Sequence, residues 1–138
     1  MVSPAPRSPL AFDRGHAVSV NYVQRFWNAL SREVEGLLGR SCRNSLFTRL
    51  FSLSPRDVLT LRRRIDLPTL ARERANARRP RPSAHELVHA TEAMALRFDM
   101  LLTSIIGSHM TAGLLLSAVV AANQHTFHPL DHRTAGHP

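Results

Sequence analysis

The chain has 138 residues, with 18 arginines, no lysine, ten acids and a formal charge of +8. That length suits one domain whose core needs no disulfide or metal staple, and Cys42, being alone, excludes an intramolecular disulfide and favours a reducing compartment. Guanidinium groups never lose their charge and bind carboxylate and phosphate bidentately, so the balance favours polyanionic partners, either nucleic acid or an acidic protein face.

Residues 1 to 18 are expected to form a disordered arm, with Pro4, Pro6 and Pro9 among small and polar residues. No apolar run occurs there, so no secretory signal is expected. The helical domain is placed at residues 19 to 122. Ser19 is a candidate N-cap, and Val20, Val23, Phe26, Trp27, Leu30, Val34, Leu37 and Leu38 share a stripe that Gly39 would stop. Phe26 and Trp27 read first as core and second as an interface anchor. Cys42, Leu46, Phe47, Leu50, Phe51 and Leu53 fit two or three further helical turns. Apart from arginines, nothing beside Cys42 would activate its thiol, and the inert reading is preferred.

Ser54, Pro55 and Asp57 read as N-cap, first helical position and first-turn acid of a third helix, in which Val58, Leu61 and Ile65 extend the apolar stripe. Arg62, Arg63 and Arg64 load its far side. Asp66-Leu67-Pro68 reads as the end of that helix and the start of another, with Leu67, Leu70, Ala71 and Ala75 apolar. Residues 56 to 81 hold nine arginines, including Arg78, Arg79 and Arg81, against Asp57, Asp66 and Glu73. Such a run is most simply a solvated face; it also suits phosphate contact or, in RERANARRPRPS, a nuclear-import signal. The second short helix ends too early, and without a central Gln or Asn, to serve as a recognition helix.

Ser83 and Glu86 form a capping box, so a helix is expected from Ala84. Leu87, Ala90, Met94, Phe98, Leu101 and Ile105 recur at helical steps over about six turns. His85-Glu86-Leu87-Val88-His89 matches the bare pattern by which zinc peptidases hold the ion with two histidines and use the intervening glutamate as base. The context does not sustain it. A glycine and a third histidine are missing where Glu92 and Ala95 respectively stand, and Asp99 and His109, placed on the same helix, lie too far along to converge. Glu86 already has a structural role in the capping box. Zinc, with His85 and His89 as ligands and Glu86 as base, is therefore the alternative, and no catalytic residue, metal or other cofactor is expected.

Residues 100 to 122 carry no ionisable side chain except His109. At about 1.5 Å per residue one helix of that length would cross the roughly 30 Å apolar core of a bilayer. A tail anchor on the cytoplasmic face of a membrane is thus a further alternative. Thr103, Ser104, Gly107, Ser108, Thr111 and Gly113 weaken it, and two helices hinged between Gly107 and Gly113, with LLLSAVVAA buried, are preferred. Residues 123 to 138, with His125, His128, His132 and His137, are expected to be a flexible tail.

Leu53-Ser54-Pro55-Arg56-Asp57 with Leu61, then His85-x-Leu87-Val88 and Arg97 on an amphipathic helix, resembles the small accessory subunit of the herpesvirus tripartite terminase over about residues 53 to 106. Where that family tends to have Phe-Pro-Thr and Lys-Leu-Asn steps, this chain has LRRRIDLPTL. The resemblance implies a short, helical, nuclear protein without catalysis of its own, working with larger subunits that move viral DNA into capsids. The chain is thus expected to be all-α, a small bundle or an extended helical hairpin, and to act as a non-catalytic adaptor in viral genome packaging in the host nucleus. Its interaction residues are taken to be Arg62, Arg63, Arg64, Arg78, Arg79 and Arg81 for an acidic partner or DNA, and Phe26, Trp27, Leu87, Met94, Phe98 and Leu101 for protein subunits.

Overall fold

The computed structural model describes residues 20 to 74 and 78 to 127, the last three without their side chains. The expected arm at 1 to 18, with the Ser19 cap, and most of the histidine-bearing tail lie outside the described residues.

Five helices follow one another: α1 (Val20–Leu38), α2 (Arg40–Leu53), α3 (Pro55–Arg62), α4 (Ala84–Ile106) and α5 (Ser108–Phe127). The fold is all-α, and the described residues contain no strand. Glycine separates α1 from α2 and α4 from α5: Gly39 has φ +91° and Gly107 φ +87°, a backbone region that side chains with a Cβ rarely adopt. At the front of α4 the capping box closes as expected. Glu86 N–H donates to Ser83 Oγ at 3.1 Å, and Ser83 N–H donates to Glu86 Oε1 at 2.7 Å.

One core joins all five helices. Its centre is aromatic: Phe47 stacks on Phe98 at 4.9 Å between ring centroids, and Trp27 meets Phe47 edge-on at 6.3 Å. Trp27 is fully buried, and its indole N–H donates to Thr91 Oγ1 at 3.1 Å, joining α1 to α4. The last turns of α5 lie beside the first turns of α1, where Arg25 Nε donates to the Ala122 carbonyl at 3.4 Å. Burial pushes the Tyr22 hydroxyl above its ordinary pKa there, against the lowering influence of Arg25 and of a hydrogen bond with Asn123.

Three expectations are corrected, and one preference holds. Among the described residues 67 to 74 no helix starts at Pro68: Leu70 N–H donates to the Leu67 carbonyl at 3.0 Å, and Thr69 has φ +69°. Residues 67 to 70 are thus a turn with Pro68 at its second position and a positive φ at its third, so the proline that can begin a helix here begins a turn. The stripes of α1 and α4 lose their cover in the last turn. Leu37 is 44% exposed, and Ile105, on the same side of α4 as Leu87 and Phe98, is 51% exposed. As preferred from the sequence, residues 100 to 122 belong to two helices, divided at Gly107. Gly113, placed in the hinge by the sequence, sits inside α5, which runs on past residue 122 to Phe127.

Candidate interaction surface

The two segments nearest the centre of the chain's chemistry, α3 and α4, run antiparallel and are tied at both ends. Arg97 Nη1, midway along α4, donates to Ser54 Oγ at 2.9 Å and lies 3.8 Å from Asp57 Oδ2. Ser54 stands at the N-cap position of α3, but its hydroxyl accepts from Arg97 and makes no cap bond to the helix. Burial raises the Asp57 carboxyl above its ordinary pKa, and the Arg97 guanidinium lowers it without cancelling that effect. At the other end Arg64 Nη1 donates to the Pro82 carbonyl at 2.9 Å, just ahead of α4.

Between these ties the arginine-rich segment folds on itself. Arg62 Nε donates to the Ala71 carbonyl at 3.4 Å, Glu73 N–H to the Arg62 carbonyl at 2.7 Å, and Arg72 Nη1 to the Arg64 carbonyl at 3.2 Å. Gln24 of α1 holds the preceding turn, donating from Nε2 to the Asp66 carbonyl and accepting from the Asp66 N–H through Oε1, both at 2.8 Å. Gln24 lies off the apolar stripe of α1 and is half-buried, and the sequence carries no sign of this clamp. The amide reads backbone 42 residues away, and a lone glutamine carries no spacing signal for that.

The expected interaction residues divide sharply. Phe26, Trp27, Leu87, Met94 and Phe98 are fully buried in the chain's own core, and Leu101 is half-buried. Arg62, Arg63 and Arg64 are half-buried, whereas Arg78, Arg79 and Arg81 are exposed. The apolar side chains that do face outward are others: Leu96 is 49% exposed, Met100 73%, Leu59 51% and Leu116 60%. Leu96 and Met100, one turn apart on α4, share a side with His89 and Ala93. Sequence reasoning passed over them because it followed the continuous stripe from Leu87, which the fold uses internally.

His85 and His89 are both exposed on the first turns of α4, in the side-by-side relation that a metal-binding pair requires. Among the described residues, however, no group of three His, Cys, Asp or Glu side chains is arranged to hold a metal ion. Asp99 accepts from Thr103 Oγ1 at 3.3 Å on α4, while His109 belongs to α5, so the two proposed third ligands stand on different helices. Glu86 Oε1 is held by the Ser83 N–H, so the carboxylate needed as a base serves the helix start. Among the described residues no helix is long and apolar enough to cross a membrane.

No protein-family model, no curated protein and no solved structure matches the chain.

Proposed function

We propose that this chain is a non-catalytic helical adaptor in viral genome packaging, similar to the small terminase subunit, and that it acts in the host nucleus by docking larger packaging subunits. The observation that carries this reading is the Arg97 tie. The resemblance rests on two separate stretches, Leu53 to Asp57 and the helix bearing Leu87 and Arg97. Arg97 reaches across to Ser54 and Asp57, and Leu61 and Leu87 are both fully buried in the same core. The stretches that carry the likeness therefore form one packed unit, as a shared structural framework requires. Docking falls to outward apolar side chains on that unit, Leu59, Leu96 and Met100, each about half exposed or more, since burying exposed apolar surface favours protein contact.

An affinity pull-down with the full chain as bait, from cells in which the virus assembles, tests the reading. Large packaging subunits are expected in the eluate. Recovery of none of them would sink it.

A further inference from the structure

The nine arginines of residues 56 to 81 do not all do the same thing. Arg62, Arg64 and Arg72 are spent on the backbone of their own segment, each donating to a carbonyl of Ala71, Pro82 or Arg64. These bonds close the loop from the end of α3 to the start of α4, since Arg64 and Pro82 are 18 positions apart in sequence. Three of the six other arginines neighbour the clasping bonds in sequence. Arg63 lies between two of the clasping arginines, Arg74 follows the Glu73 N–H that binds the Arg62 carbonyl, and Arg81 precedes the Pro82 carbonyl held by Arg64. The side chains of Arg63, Arg74 and Arg81 have no hydrogen-bond or ion-pair partner among the described residues, and Arg74 and Arg81 are exposed. The acids nearby are Asp66 and Glu73, both exposed.

We infer that this arginine-clasped loop binds the phosphate backbone of double-stranded nucleic acid without regard to sequence, through Arg63, Arg74 and Arg81. Three features select that partner. Residues 56 to 81 contain no aromatic side chain, so single-stranded bases find no stacking platform. From Ala71 to Arg81 the described residues expose no large apolar side chain, so the centre that a protein interface normally carries is absent from the patch. A loop held by its own guanidinium groups presents fixed charges at the surface, which is what repeated phosphates recognise and what releases condensed counterions. The inference does not rest on the adaptor reading, and it can fail or stand whatever a pull-down recovers.

Fluorescence anisotropy with a labelled duplex of random sequence, at several salt concentrations, tests it on the full chain. Three variants are compared with the wild type: R63A/R74A/R81A, the charge-preserving R63K/R74K/R81K, and the control R32A/R40A/R49A, which removes the same charge from α1 and α2. The wild type is expected to bind the duplex more tightly than a single strand of equal charge. The patch variant should lose about tenfold or more in affinity and about two to three units of the slope of log K against log salt. The lysine variant should retain both, and the control should lose distinctly less than the patch variant. Equal losses in patch and control variants, tighter binding of the single strand, full competition by poly-glutamate of equal charge, or no duplex binding by the wild type at 50 mM salt, about the low end of the usual range, would each overturn the inference. Should R63A/R74A/R81A prove unfolded by circular dichroism, the lysine variant decides: retention of affinity and slope supports the patch, and their loss refutes it.

Discussion

Thr91 and Thr111 are both fully buried, yet their hydroxyls have opposite fates. Thr91 Oγ1 accepts the Trp27 indole N–H, whereas Thr111 Oγ1 has no hydrogen-bond partner among the described residues. Replacing Thr91 with valine keeps the shape and strands a buried donor, so Thr91→Val is expected to lower unfolding stability by about 1–3 kcal/mol. The same change at Thr111 removes an unsatisfied polar atom and is expected to raise stability by about 1 kcal/mol. Urea unfolding of both variants against the wild type measures the contrast. Asp57 gives a second residue-scale expectation. Its carboxyl is raised above its ordinary value by burial, so the folded chain holds that proton more tightly than the unfolded chain. Its contribution to stability is then fullest below the unfolded pKa and is lost as the pH rises through the folded one. Asp57→Asn should therefore gain on the wild type as pH rises from about 3 to 7, read as the difference in melting temperature across that range. A difference that shrinks with rising pH would show that Arg97, not burial, governs the carboxyl.

At the scale of elements, the turn at residues 67 to 70 holds a β-branched residue at φ +69°, where glycine fits without strain. Thr69→Gly is expected to stabilise the protein by about 1 kcal/mol, measured by thermal or urea unfolding. The same turn explains what sequence could and could not reveal. Helix starts with a second local signal were legible: Ser83 and Glu86 are confirmed atom by atom as a capping box, and Gly39 and Gly107 mark real breaks. At Pro68 a single proline cue was compatible with a helix start or with the second position of a turn, and local sequence alone could not separate them. The outward positions of α4 were hidden for a different reason. Leu96 and Met100 lie off the stripe of Leu87 and Phe98, and apolar residues there carry no spacing signal that tells an uncovered position from one packed on a neighbouring helix. The arginine loop was legible in its charge and not in its clasps, because bonds from Arg62, Arg64 and Arg72 to backbone carbonyls have no sequence spacing of their own.

On the scale of the whole molecule, the apolar residues first taken as partner contacts fold the chain, and a different set faces outward. Phe26, Trp27, Leu87, Met94 and Phe98 belong to the core, so they are not open to a partner in the folded chain. The outward side of α4 exposes Leu96 and Met100, and the arginine loop exposes Arg74 and Arg81. In the proposed reading the two features serve different partners, the apolar side chains protein subunits and the arginines a polyanion. The adaptor account turns on the apolar surface, and the most direct measurement is recovery of partners by paired baits, wild type and L96E/M100E, from cells in which the virus assembles. The account predicts that the wild type brings down large packaging subunits and that the variant, with an unchanged melting temperature, does not. Recovery of no packaging subunit by the wild type, or equal recovery by a folded variant, would contradict it.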